Sequence, residues 1–268
     1  MNSALSSPNA LFERYIGIDY SGAQTPESSL KGLRVYRAER TSAPQEIPPP
    51  SGSRKYWSRR GIAEWLTRQL SDGVPSLVGI DHGFSFPLAY FETYQLAADW
   101  PAFLDDFQTH WPTDGHNSRV QDIRNGSSGA GEARLGSARW RRVTEQRVGA
   151  KSVFHFDVPG SVAKSTHAGL PWLRYLRQQL AGRLHAWPFD GWAIPTGQSA
   201  VAEIYPSLWS KRWPQEGRTD DQHDAYVACA WMQQTDRDGG LEDYLKPPIP
   251  RHEASVAQIE GWILGVGE

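Results

Sequence analysis

The sequence predicts a mixed α/β domain, a single sheet covered by helices on both faces. Three observations carry that prediction. Two short apolar runs, YIGIDY (15–20) and LVGID (77–81), read as buried strands. The stretch LRVYRA (33–38) alternates more openly and reads as an antiparallel neighbour with one wet face. Segments of helical period lie between and after these strands.

Taken in order, the strand at 15–20 leads through a turn to the strand at 33–38, and the Pro-, Ser- and Gly-rich stretch 42–54 reads as loop. Residues 58–70 place Ile62, Trp65, Leu66 and Gln69 on one face, which predicts a helix. The strand at 77–81 follows Gly73 and Pro75. Helices are expected over 87–96 and 101–110, the second entered through Pro101 at a first-turn position. From 113 to 150 the chain is polar and rich in Gly, Ser and Arg with no sustained period, which predicts a long insertion or mobile loop. A helix is expected over 168–183, a strand over 201–205 (VAEIY), a long helix over 221–235, and loop over 237–252. A short helix and a terminal strand, WILGV, close the chain.

The length, 268 residues, fits one large domain or two small ones, with ample apolar residues for a full core. Lys and Arg number 28 against 30 Asp and Glu, so a nucleic-acid role has to rest on local patches rather than on net charge. The single cysteine, Cys229, excludes an internal disulfide and reads as a small buried hydrophobe. No apolar run approaches the roughly 20 residues that span a bilayer. MNSALSSPNA lacks the basic start and apolar stretch of a secretion signal, so 1–12 is expected to be a loose tail before one domain, 13–268. A cytoplasmic setting is expected; the oligomeric state is left open.

The candidate chemistry is carried by acids. The two apolar strands each end in an aspartate, Asp19 and Asp81, followed by a Gly-containing turn. The carboxyl ends of strands are where open α/β sheets build their sites. Glu203, flanked by apolar residues in AVAEIYPSLW, is a partly buried acid that needs a partner or a cation. The long helix opens with DDQHDA. Thr219 and Gln222 match a capping box, and Asp220 reads as a cap residue stabilised by the helix dipole. Asp221 and Asp224, three apart, project from one side of the first turn, while Ala225 and Ala228 bring that side close to the sheet. Clustered carboxylates repel one another, and a hard divalent cation relieves the repulsion. Two such ions about 3.5–4 Å apart suit phosphodiester cleavage. His223 reads as a proton shuttle, a phosphate contact or a solvated surface histidine, and the eight histidines show no zinc spacing.

GIDYSGA, GIDHGFSFP, EIYPSLW, DQHDAYVACAW and terminal EGWILGV together resemble the ribonuclease H-like superfamily. The Asp-x-x-Asp-Ala helix opening is similar to that of Holliday-junction resolvases. The whole set is similar to a domain-of-unknown-function family of ribonuclease H-like nucleases, over roughly 15–25, 77–88, 160–235 and 258–266. The resemblance implies a sheet of order 3-2-1-4-5 with an insertion at about 99–160, and parallel neighbouring strands that set Asp19 beside Asp81. It further implies catalytic Asp19, Asp81, Asp221 and Asp224 around two Mg2+ or Mn2+ ions. The resolvases carry a glutamate where Asp81 stands, and Glu203 is expected to make up the difference as a further ligand.

Substrate contacts are expected from a basic stretch at 134–151, above all Arg139, Arg141 and Arg142 beside Trp140. Lys164, Thr166 and His167, just ahead of a predicted helix, are a second candidate phosphate contact, with capping as the alternative. Arg54, Lys55, Arg59 and Arg60 beside Tyr56 and Trp57 flank the same cleft. Two other functions stay open on the residues: an actin-like nucleotide hydrolase, suggested by DYSGA, and a non-catalytic nucleic-acid-binding domain whose acids are caps and strand terminators.

Overall fold

A computed structural model describes residues 10–52 and 54–267. Strands β1 (Arg14–Asp19) and β2 (Arg34–Glu39) form an antiparallel pair, extended by the two-residue β3 (Gln45–Glu46). After α1 (Arg59–Leu70), β4 (Ser76–Asp81) returns parallel to β1. Helices α2 (Leu88–Tyr94), α3 (Trp100–His110), α4 (Val120–Arg124), α5 (Val143–Val148) and α6 (Ala163–Gln179) follow. The chain then runs through β5 (Leu184–Ala186), β6 (Ser199–Ile204), α7 (Asp220–Arg237), α8 (Leu241–Leu245), α9 (Arg251–Glu260) and β7 (Ile263–Leu264). No helix among the described residues is long and apolar enough to cross a membrane.

The mixed, helix-flanked sheet is as expected, but its strand order is not 3-2-1-4-5. The path is β3-β2-β1-β4-β6-β5, with β7 also on β6. The strand beside β4 is β6, and the three-residue β5 lies outside it, pairing His185 with Ala200. Further along that same edge of β6, Glu203 pairs with Ile263. Two short strands thus share one edge, and neither is long enough to show a period of its own.

Alternation along the strands divides the interior into two cores. Ile16, Ile18, Val78, Ile80 and Val201 face α1, α6 and the aromatic cluster of α2 and α3. Tyr15, Leu77, Ala200, Ala202 and Ile204 face α7, through Ala225, Ala228, Cys229 and Met232. The segment expected as a long insertion or mobile loop is packed against the rest: Val120 and Ile123 of α4, with Thr144 and Glu145 of α5, are buried. Its anchors are too widely spaced to give a helical period, so polarity dominates its sequence. α6 begins five positions before the expected 168, with Pro171 inside it. Of the tail expected at 1–12, residues 1–9 lie outside the described residues, while Leu11 N and Phe12 N donate to the Asp236 carboxylate at 2.9 and 3.0 Å.

The closest approach of helix to sheet is at Gly17. A Cβ there would fall on the Ala225 carbonyl and lie 2.5 Å from Cys229 N. Gly79, the register partner of Gly17, receives Met232 in the same way, its sulfur 3.0 Å from a built Cβ. Gly17→Ala should therefore force α7 off the sheet and lower stability by about 1–3 kcal/mol, as for other overpacked cores. Thermal unfolding measures the loss, and an unchanged Tm would show that the helix is not held by this contact.

Candidate metal centre

In GID, the motif shared by β1 and β4, glycine and aspartate are two residues apart and so point to the same face of the sheet. That face is the one α7 covers. The parallel register pairs Asp19 directly with Asp81. Early in α7, Asp224 arrives over the strand ends because the glycines let the helix backbone lie so close. The result is a trio: carboxylate oxygens of Asp19, Asp81 and Asp224, all half-buried, lie within 4.8 Å of one another. The helix start is fixed by a capping box in which Gln222 N donates to Thr219 Oγ1 at 3.3 Å and Thr219 N to Gln222 Oε1 at 3.0 Å.

The electrostatics follow from the crowding. Burial holds the Asp19 carboxyl well above the ordinary range, and the charges of Asp81, Asp221 and Asp224 push it further. Asp81 is raised by burial, then by Asp224 and Glu203. Asp224 is raised by burial, opposed by His223 and reinforced by Asp220 and Asp221. Among the described residues no lysine or arginine forms an ion pair with any of the three. Three carboxylates from three separate elements form a hard, all-oxygen donor set, of the kind that suits magnesium, manganese or calcium.

Asp221 lies beside the trio rather than in it. Its Oδ1 is 3.8 Å from where a Cβ would stand on Gly32, next to Ser21 in the β1–β2 connection. Asp220 is exposed and accepts from Gln215 Nε2 at 2.9 Å.

Two helices brace the turns that carry the aspartates. Arg59, at the first position of α1, is fully buried and grips the turn after Asp19, donating to Ala23 O at 2.6 Å, Gln24 O at 3.0 Å and Ser21 O at 3.3 Å. Its assignment to a basic cleft flank is thereby corrected. The first turn of α6 touches both site turns: a Cβ on Gly22 would fall on the Lys164 carbonyl, and Gly83 N donates to Thr166 Oγ1 at 2.9 Å. His82, directly after Asp81, is buried against Gly169, and burial lowers its pKa to about 4. It is therefore a neutral packing group at physiological pH.

Several expected site residues sit elsewhere. Glu203, expected as a ligand, points with Val201 and Ile80 to the face opposite the trio. Both its oxygens accept from Arg142, at 2.6 Å each, and Oε2 also accepts from Phe84 N at 3.2 Å. Arg142, expected on nucleic acid, is 1% exposed and donates also to Glu145 Oε1 at 2.9 Å. A guanidinium so enclosed has no reach to a phosphate backbone. Arg141 is half-buried and bonds the Glu145 and Ala150 carbonyls at 2.7 Å each, whereas Arg139 is exposed. Thr166 and His167, expected as substrate contacts, are buried; His167 lies among Phe86, Trp111 and Phe156 with its pKa lowered by burial to about 3. Lys164 alone of that trio is exposed. His223 turns away from the acids, its Nε2 3.0 Å from Ser210 O.

Compared with known proteins, the chain matches no family model, no curated protein and no solved structure.

Strand parity is the signal in the sequence that finds this face. The glycine two residues before each aspartate was visible, and it specifies the face on which a helix must lie. Arg142→Met should unfold the protein rather than weaken a surface contact, at a cost of about 3–5 kcal/mol, because it strands Glu203 and Glu145 as buried charges. Denaturant titration should show that cost partly recovered in Arg142→Met/Glu203→Gln. A fully stable Arg142→Met protein would refute the buried-pair account.

Proposed function

We propose that this protein is a divalent-metal-dependent nuclease of the ribonuclease H-like kind. The observation that carries the reading is the meeting of Asp19, Asp81 and Asp224 at the carboxyl end of the sheet, three acids from three elements that form no ion pair with a lysine or arginine among the described residues. The alternative, in which the acids are only caps and strand terminators, accounts for Asp220 but not for this convergence. Asp19, Asp81 and Asp224 would hold one Mg2+ or Mn2+ ion, and Asp221, whose charge already acts on Asp19 and Asp224, would share a second. Bound there, such ions supply a nucleophilic water and stabilise charge on the leaving oxygen of a phosphodiester. The protein's own part is to hold four acids in place with two braced turns and a helix that cannot shift. Arg139 and Lys164, both exposed, remain candidate phosphate contacts.

The raised carboxyl groups set the sign of the pH dependence. A group whose pKa is higher in the native state than in the unfolded chain binds protons preferentially in the native state. The metal-free protein should thus lose stability as pH rises from about 4 through the raised native values. Cations compete with those protons, so the rise in Tm with Mn2+ should be larger at about pH 8 than at about pH 5.5. Asp224→Asn should remove the Mn2+ response and raise the metal-free Tm by roughly 2–4 °C, the equivalent of about 1 kcal/mol in a chain of this size. Differential scanning calorimetry reads both; a Tm indifferent to Mn2+ in the wild type would favour the cap reading.

Activity is tested by incubating labelled DNA and RNA, linear and branched, with Mg2+ or Mn2+. Wild type should cleave at least one class, and Asp19→Asn should lose about a hundredfold or more, the usual scale for removing electrostatic support of developing charge. Equal cleavage by the two proteins would place the active site elsewhere.

A further inference from the structure

Beside the acid trio, at the β2 edge of the sheet, the chain builds a second feature. Arg34 opens β2 as the register partner of Asp19, and alternation sends its side chain to the same face, with Tyr36 and Ala38. Neighbouring strands lie about 4.8 Å apart, so Arg34 begins one strand away from the acids. Its guanidinium lies 4.9 Å from the centroid of the Tyr56 ring, and Lys55 Nζ lies 5.2 Å from the same ring. Two adjoining grooves of about 250 and 290 Å³ meet here, sharing Pro49, Tyr56 and Trp57 as lining.

The walls are built rather than draped. Trp57 is 2% exposed and its Nε1 donates to Ile47 O at 2.8 Å. Tyr56 is held through its backbone, its N–H donating to Ser29 Oγ at 2.9 Å and its carbonyl accepting from that hydroxyl at 3.0 Å. The half-buried Tyr56 ring lines both grooves, with the Arg34 and Lys55 cations over it. The two acids of the grooves are already neutralised: Glu27 pairs with Arg60 at 3.1 Å, and Glu46 pairs with Arg34 at 3.0 Å while accepting from Gln222 Nε2 of α7 at 2.7 Å. Lys55 has no carboxylate partner among the described residues, so the lining carries surplus positive charge around an aromatic.

We propose that these grooves bind a stretch of single-stranded nucleic acid continuous with the strand at the metal centre. The inference rests on the nuclease reading for its substrate. A base stacks on Tyr56, and the adjoining phosphates lie against Lys55 and Arg34. Aromatic stacking combined with a cationic track binds single strands without choosing sequence, because every base has a π-face and every linkage a charge. The position of Arg34 connects the two sites: it contacts the groove ring and stands beside the ligand strand.

The test uses the full chain in EDTA, where no cleavage occurs, with fluorescein-labelled oligo-dT and oligo-U read by fluorescence anisotropy. Tyr56→Ala and Lys55→Glu should each weaken binding by about tenfold or more. Lys55→Glu should also flatten the slope of log K against log salt by about one. The Mn2+-dependent rise in Tm should stay at the wild-type value in both variants, which separates this groove from the ligands. Variants that bind as tightly as wild type overturn the groove while leaving the metal reading standing. So does a wild-type protein that shows the Mn2+ response yet binds neither oligonucleotide, or that binds a proline-rich peptide in their place. Loss of the Mn2+ response and of cleavage in the wild type overturns the nuclease reading, a separate outcome.

Discussion

The arrangement depends on one contact, the backbone of α7 lying directly on the backbone of β1. It is possible because Gly17 has no side chain: any Cβ there would occupy the place of the Ala225 carbonyl. Alanines 225 and 228 extend the close approach, and Cys229 Sγ donates to Tyr15 O at 3.3 Å. The far end of the helix is tied by Asp236, which accepts from Tyr15 Oη at 2.6 Å and from two backbone amides near the start of the described chain. A helix pinned at one end by hydrogen bonds, capped at the other and seated on glycine in between has no freedom to withdraw Asp224 from Asp19 and Asp81.

The same sheet end carries two contrasting electrostatic arrangements, one on each face. On the face away from α7, the buried Glu203 carboxylate is paired with Arg142, which also bonds Glu145, and it accepts from the Phe84 amide. On the α7 face, three carboxylates are brought together with no lysine or arginine ion pair among the described residues. Charges removed from water are costly unless paired. The chain pairs one set internally, and the proposed metal role supplies the counter-charge of the other from solution.

Much of this was legible. The repeated apolar-glycine-aspartate run marked two buried strands with acids at their ends, and the capping box at Thr219 marked the start of α7. Other features were not. Arg142 sits in an arginine-rich, glycine-rich stretch and reads as surface, because local composition cannot tell a solvated guanidinium from one enclosed by an acid 61 positions away. Alternation sets Glu203 and Val201 on one side of their strand, but which side meets the site depends on the β4–β6 register. The strand β5, at three residues, is too short to alternate visibly.

Local chemistry along the chain dictates the elements: strands from alternation, helix starts from caps, and the acids at their ends. Which acids meet and which are neutralised is settled by long-range packing. Those outcomes rest on contacts between residues such as Gly17 and Ala225, or Arg142 and Glu203, far apart in the chain. Strand parity and register select between the two faces of the sheet, and a shift of one residue in either would exchange the paired acid for the unpaired ones.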